Sequence, residues 1–336
     1  MINLLYIGNN LKTNSSNPSG IHTLGPLLEQ EGFELVYASD KQYKMFRLVH
    51  MLHASFYFKQ KKGIVIIDTY STQNFYYALL VSQLCRLLNM RYLPILRGGN
   101  LPSRLENSPK LSRLVFYYAY SNIAPSMYLK TAFENKGYQN VLHIPNSITI
   151  SNYPYQERSY QDIRLLWVRS FSKIYNPELA IKVLKALKNR GHKASLCMVG
   201  PDTDGSLTDC QKLAKELDVE VQFTGKLSKE NWIALSKDFN IFINTTNFDN
   251  MPVSVIEAMA LGLPVVSTNV GGMPFLIKHG VDGLLVEPNS AEVFVQTIER
   301  LVHNQEKTIL TTKAARMKVE AYDWEQVKKQ WFEVLQ

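Results

Sequence analysis

Between residues 164 and 300, short apolar runs alternate with helix-length segments without a long interruption. The runs lie at 164–168, 194–199, 219–224 and 239–246, each followed by a helical pattern. Strands separated by helices pair in parallel, because a parallel neighbour is reached only through a crossover of a dozen residues or more. This half of the chain is therefore expected to form a doubly wound parallel sheet. The first half repeats the pattern with runs at 2–7, 33–38, 64–69, 91–96, 123–126 and 141–144. A polar stretch at 149–163, with one proline, reads as the linker between the halves. A length of 336 residues with 46% hydrophobic content supplies two cores, so an α/β chain of two domains is expected.

Open sheets of this kind bind ligands at the carboxyl ends of their strands. The richest such end follows 239–246, where the polar loop 247–251 leads to Pro252, read as the first residue of a helix that stops at Gly262. That helix is apolar almost throughout, and Glu257 is its only charge. A carboxylate there must be paired, hydrogen-bonded or exposed; a surface Glu on an ordinary helix would satisfy the same pattern. The loop and helix start, with Asn250, Met251, Pro252 and Val253, would turn backbone NH groups toward an anion such as phosphate. Arg169 and Lys173 follow the run 164–168, where two cations face a diphosphate or simply water. Asn176 is expected to cap the next helix. Gly200 closes the run 194–199, and Gly225, Lys226 and Leu227 close 219–224, with Ser228 capping the helix beyond. Asp202 and Asp204 form a D-x-D inside a Pro/Gly turn, read as turn chemistry and not as a metal site.

In the first half, the run 2–7 leads into a polar loop at 9–20 containing Pro18 and Gly20, with no G-x-G-x-x-G phosphate fingerprint. Arg97, Gly98, Gly99 and Asn100 follow the run 91–96, again at a ligand-binding end; a turn with positive φ would also explain the two glycines. The net charge of +8 is confined to this half: residues 1–150 hold 15 Lys and Arg against 7 Asp and Glu, and the remainder balances at 22 against 22. Such asymmetry suits an anionic partner, a membrane surface above all, although lysines scattered for solubility would give it too. The segment 41–63 sharpens the point, placing Lys41, Lys44, Arg47, Lys59, Lys61 and Lys62 around an expected core of Met45, Phe46, Leu48, Val49, Met51, Leu52, Phe56 and Phe58. No recognition helix or aromatic platform suggests a nucleic-acid partner. Cys85, Cys197 and Cys210 lack metal-ligand spacing, the start of the chain has no basic signal region, and no apolar run is long enough to span a bilayer; a cytoplasmic protein, at the inner face of the membrane, is expected.

Asp249, seven intervening residues and Glu257, followed by AMALGLPVVSTNVGG, resemble the acid-x7-acid signature of the retaining glycosyltransferases of family 4, within the glycosyl transferases group 1. These usually carry Glu at the first acid, so Asp249 is one methylene short. The resemblance implies the GT-B fold: two Rossmann-like doubly wound parallel-sheet domains with a cleft between them. Acceptor binding would fall to 1–150 and nucleotide-sugar binding to 151–315, with 316–336 crossing back to the first domain. It implies transfer of a sugar from a nucleotide-diphosphate donor with retention, without a metal or other cofactor. Arg169, Lys173 and Asp249 would serve catalysis, the cations on the diphosphate and the acid on the sugar. Glu257 would take the ribose hydroxyls, and Asn250, Met251, Pro252, Val253, Gly200, Gly225, Lys226, Leu227 and Gly20 would surround the donor, with Gly8 competing for the place of Gly20. Arg97, Gly98, Gly99 and Asn100 would meet the acceptor, a saccharide expected to be lipid-linked or membrane-proximal in cell-surface polysaccharide or glycoconjugate synthesis. A histidine common in relatives near the last group is absent here. A nucleotide-sugar epimerase of the same fold, or a catalytically silent sugar-nucleotide-binding protein, are the other readings.

Overall fold

The computed structural model describes residues 2–11 and 19–336; the greater part of the first polar loop, 12–18 with Pro18, lies outside the described residues. The chain divides into two compact units, Met1–Pro145 with Lys328–Gln336, and Asn146–Val327. The first contains β1 (Asn3–Ile7), β2 (Glu34–Ala38), β3 (Ile64–Thr69), β4 (Tyr92–Leu96), β5 (Asn122–Ala124) and β6 (Val141–His143). They form one sheet in the order β2-β1-β3-β4-β5-β6. The second contains β7 (Ile163–Val168), β8 (Ala194–Val199), β9 (Gln222–Gly225), β10 (Ile241–Asn244), β11 (Val265–Thr268) and β12 (Leu284–Val286), in the order β12-β11-β10-β7-β8-β9. Every strand pair in both sheets is parallel.

Both sheets are wound the same way. The chain fills one side and then returns to fill the other, so the order reverses between β1 and β3 in the first sheet and between β7 and β10 in the second. At such a reversal the connections leave in opposite directions and open a crevice above the carboxyl ends of the two strands. Central strands such as β3, IVIIDT, are buried along their whole length, as expected for strands covered by helices on both faces. The run 239–246 leaves its ladder at Asn244, and beyond it the hydroxyls of Thr245 and Thr246 donate to the carbonyls of Tyr175 and Ile174 at 3.0 and 3.3 Å.

The structure corrects three local expectations. The stretch 149–163 is not a free linker: Tyr153 and Tyr160 are buried in the second unit, and so is Arg158. The Arg158 guanidinium donates to the carbonyls of Ser236, Phe239 and Leu261 at 2.8, 2.7 and 3.0 Å, and two of these residues terminate helices Lys229–Leu235 and Val253–Ala260. It thus satisfies carbonyls that a helix end leaves without partners, where a cation is also favoured by the helix dipole. In helix Lys44–Phe58 the buried face is rotated from the expected one. Met51 and Phe58 are buried, but Met45, Phe46, Val49 and Phe56 are 58–71% exposed. Arg47, expected among the solvated cations, is buried and donates to the carbonyls of Lys41 and Gln42 at 2.8 and 2.9 Å. Asn176 precedes helix Pro177–Asn189 without capping it: its φ is +47°, and its side-chain amide donates to Asn289 and Asn247 instead. Among the described residues no helix is long and apolar enough to cross a membrane.

Replacing Arg158 removes one donor from each of three carbonyls, of which those of Ser236 and Leu261 also accept from the amides of Phe239 and Gln156. Arg158→Leu should lower the unfolding free energy by about 2–4 kcal/mol, seen as a lower urea midpoint with an unchanged slope.

Candidate active site

Arg169 directly follows β7, and the loop carrying Asp249 follows β10, so the reversal point of the second sheet brings them together. The Arg169 guanidinium forms an ion pair with Asp249 Oδ2, and both side chains are mostly buried, 13% and 15% exposed. Its central carbon lies 3.9 Å from the centre of the Tyr175 ring, a cation–π contact. Arg169 Nε is buried and has no hydrogen-bond partner. A buried cationic donor without an acceptor is a costly arrangement, and one that an incoming anion relieves.

Backbone approach fixes the surroundings of this pair. A Cβ on Gly200 would lie 1.7 Å from the Arg169 carbonyl oxygen, and the Gly200 amide donates to the carbonyl of Gly225 at 2.9 Å. The ends of β7, β8 and β9 are thereby drawn together. On the other side, a Cβ on Gly272 would lie 1.7 Å from the Asn250 carbonyl oxygen, and the Gly272 amide donates to the Asp249 carbonyl at 2.9 Å. The double glycine of the signature therefore exists so that two loops can touch. Asp249 Oδ1 also accepts from the Asn250 amide at 2.8 Å.

Lys173 is exposed and opens the single helical turn Lys173–Tyr175. Asp204 fixes that turn: its Oδ2 accepts from the Ser172 hydroxyl and the Lys173 amide at 2.8 and 2.9 Å, and its Oδ1 accepts from the Ser206 hydroxyl at 2.5 Å. These hydrogen bonds, the Ser206 hydroxyl foremost, bring the Asp204 carboxyl down to about 2. Asp202 Oδ1 accepts from the Gly205 amide at 3.0 Å, so the D-x-D clamps loops. Among the described residues no cluster of three or more His, Cys, Asp or Glu side chains could hold a metal ion.

Helix Val253–Ala260 begins one residue later than expected. Pro252 is its N-cap, without a side-chain hydrogen bond, so the first-turn amides keep the partial positive charge of a helix start. One turn further, Glu257 is 3% exposed and its Oε1 accepts from the Tyr153 hydroxyl at 2.7 Å and from the Lys229 ammonium. Burial, and then Glu257, push the Tyr153 phenol well above its ordinary range, so it stays a donor. Sequence reading named Lys226 in this area. Gly225 ends β9 and Lys226 follows it; the lysine paired with Glu257 is Lys229, not singled out from the sequence, the first residue of the helix capped by Ser228. Met251 and Pro252 are buried, and the Met251 carbonyl accepts from Asn146 at 3.2 Å; Val253 and Leu227 are half-buried.

In the first unit, Arg97 is turned inward. Its Nε donates to Asp68 Oδ1 at 2.8 Å, and its guanidinium packs against Gly20, where a Cβ would come within 2.4 Å of it. Burial opposes the guanidinium's charge, but Asp68 and Tyr6 more than offset it and hold its pKa above the ordinary value. Neither Gly98 nor Gly99 has positive φ. Gly98 is required instead by close approach, since a Cβ would lie 2.7 Å from the Ser71 amide nitrogen. Asn100 is exposed at the start of helix Leu101–Asn107. Asp68, hidden inside an apolar strand, was not singled out from the sequence.

A family model described as Glycosyl transferases group 1 matches residues 155–324. The chain belongs to this family. Arg169, Lys173, Lys229, Asp249, Glu257 and the glycines around them all fall within the matched stretch. Two solved structures share the architecture: Anabaena HepE in complex with UDP and glucose (TM-score 0.80, 17% identity, 100% of this chain and 99% of that one) and the lipopolysaccharide outer core galactosyltransferase WaaB in its apo form (0.72, 17%, 99% and 99%). This group 1 chain therefore has the GT-B fold. Curated relatives match over shorter spans. The sulfoquinovosyl transferase SQD2 of Arabidopsis thaliana is 30% identical over 151 residues, 44% of this chain and 29% of that protein. The amylovoran biosynthesis glycosyltransferase AmsK of Erwinia amylovora is 28% identical over 185 residues, 50% of this chain and 43% of that one. The matches thus span less than half the length of these relatives.

Asp204 should hold the Lys173 turn through the whole neutral range. Because its folded-state pKa is depressed, its contribution is complete above the ordinary carboxyl range and disappears only as pH falls toward 2. Asp204→Ala should therefore speed amide hydrogen exchange in residues 172–175 at pH 7 by about tenfold or more, leaving the rest of the second unit protected.

Proposed function

We propose that this protein is a retaining glycosyltransferase of family 4 type. It moves a sugar from a nucleotide-diphosphate donor to a saccharide acceptor that is lipid-linked or held close to an anionic membrane, in cell-surface polysaccharide or glycoconjugate synthesis at the inner face of that membrane. The observation that carries the donor half is the partnerless Nε of Arg169 beside the uncapped start of helix Val253–Ala260. One diphosphate would satisfy both. UDP, present in the HepE structure, is the nucleotide to try first.

The chemistry follows from where charge develops. As the sugar–phosphate bond lengthens, negative charge grows on the diphosphate and positive charge on the sugar. Arg169, Lys173 and the helix start would oppose the first, in fixed positions that need no reorganisation. With these cations on the leaving group no metal is required of the donor site, and EDTA should leave turnover unchanged. Glu257, locked through Oε1 by Tyr153 and Lys229, would accept the two ribose hydroxyls, and Asp249 would set the guanidinium and the sugar. No side chain is assigned as a nucleophile. Retention is read by NMR of the anomeric centre in the product.

The membrane half rests on helix Lys44–Phe58. Met45, Phe46, Val49, Phe56 and Tyr57 are exposed along it, with Lys41, Lys44, Lys59, Lys61 and Lys62 around them. Apolar side chains rimmed by lysines suit the headgroup region of an anionic bilayer.

Arg169→Ala and Lys173→Ala should each reduce turnover of a UDP-sugar about a hundredfold or more; near-normal turnover removes the residue from this role. Phe46→Ser with Phe56→Ser should weaken binding to vesicles containing phosphatidylglycerol about tenfold or more. Equal binding of the unaltered protein to neutral and anionic vesicles would remove the membrane half.

A further inference from the structure

Glu257 is short of room for the ribose assigned to it. A carboxylate oxygen offers two acceptor positions, and Oε1 of Glu257 fills both, one with the Tyr153 hydroxyl at 2.7 Å and one with the Lys229 ammonium. A cis-diol gripped by both oxygens of one carboxylate needs a free position on each. One resident donor therefore has to leave Oε1 before a ribose can bind in that way.

The surroundings of the two donors decide which. Tyr153 is 4% exposed and packs in the cluster that contains Ile256 and Met259. Moving it away would leave a buried hydroxyl unbonded, which is costly. The Lys229 side chain is 49% exposed against 3% for Glu257, and its ammonium rides on a flexible four-carbon stem. Lys229 is also the first residue of helix Lys229–Leu235, where the helix dipole disfavours a cation. The centre of the Trp232 ring lies 5.9 Å from the ammonium and gives it a second place to rest. We propose that Lys229 is a built-in competitor of the nucleotide: its ammonium holds Oε1 of Glu257 until a ribose hydroxyl takes that position. Glu257 then keeps a partner throughout, an ammonium before binding and a diol after it. The ion pair broken on binding is subtracted from what the ribose hydroxyls contribute, so Lys229 sets how strongly the site prefers a ribonucleotide to one without those hydroxyls. The assignment rests on the nucleotide-sugar reading of this unit and adds to it the residue that regulates the grip on the ribose.

The test compares UDP with 2′,3′-dideoxy-UDP by calorimetry. The two ligands share base and diphosphate, so the ratio of their affinities reports the ribose hydroxyls alone, even where Lys229 also attracts the phosphates. Lys229→Met should raise that ratio about tenfold, the scale of one hydrogen bond to a charged group. Adding Glu257→Gln to Lys229→Met should return the ratio to the unaltered value or below. A ratio in Lys229→Met within twofold of the unaltered one, or lower, overturns the proposal and leaves the donor site intact, because UDP still binds; so does a raised ratio that survives Glu257→Gln. Lys229→Gln is carried in parallel, since Lys229→Met leaves Glu257 without a counter-charge; it should shift the ratio in the same direction, and the urea midpoint of each variant shows that it has folded. If GDP or ADP binds in place of UDP, its dideoxy form enters the same comparison. Absence of binding of all three by the unaltered protein defeats the donor reading itself, and the proposal falls with it.

Discussion

The pairing of Arg169 with Asp249 is the interaction on which the second unit's site depends. It joins the loop after β7 to the loop after β10, the two strands at which the winding of the sheet reverses. Without the carboxylate, a mostly buried guanidinium would lack a counter-charge; without the guanidinium, Asp249 would be the uncompensated charge. The pair closes only because backbone comes unusually near it on two sides. Gly200 lets the end of β8 lie against the Arg169 carbonyl, and Gly271 and Gly272 let a second loop press on Asp249 and Asn250. A side chain at any of these positions would collide with the backbone of Arg169, Asp249 or Asn250.

The two units answer one geometric problem in the same way and with opposite polarity. At each reversal point an arginine and an aspartate are paired, Arg169 with Asp249 in one and Arg97 with Asp68 in the other. In the second unit the atom left over is a donor, Arg169 Nε; in the first it is an acceptor, Asp68 Oδ2. Pairing each arginine with an aspartate makes the two charges cheaper to bury than either would be alone.

Much of this was legible before any coordinates. All six strands of the first sheet were anticipated within a few residues, because strands buried on both faces show as unbroken apolar runs between helices. Glu257 stood out for a related reason: a single charge on an apolar helix must have partners. The partners themselves were hidden. Lys229 lies 28 residues away and Tyr153 lies 104 residues away, and nothing local links either to Glu257. Arg158 was counted into a linker because an arginine in a polar stretch has the composition of a solvated residue whether or not it caps two helices. Helix Lys44–Phe58 was recognised as amphipathic with the wrong face inward, since basic side chains were assumed to point outward and Arg47 does not.

By itself the sequence determined the alternation of strands and helices, the parallel sheets that follow from it, and the fixed spacing of Asp249, Glu257 and the double glycine. Each of these is set within a few turns of chain, where periodicity and backbone sterics act. Only the tertiary structure decided the order of the strands, and so which loops meet. That placed Arg169 on Asp249, Lys229 on Glu257 and Arg97 on Asp68. Hydrogen bonds and charge pairing operate through space over about 3 Å, a range on which separation along the chain carries no information.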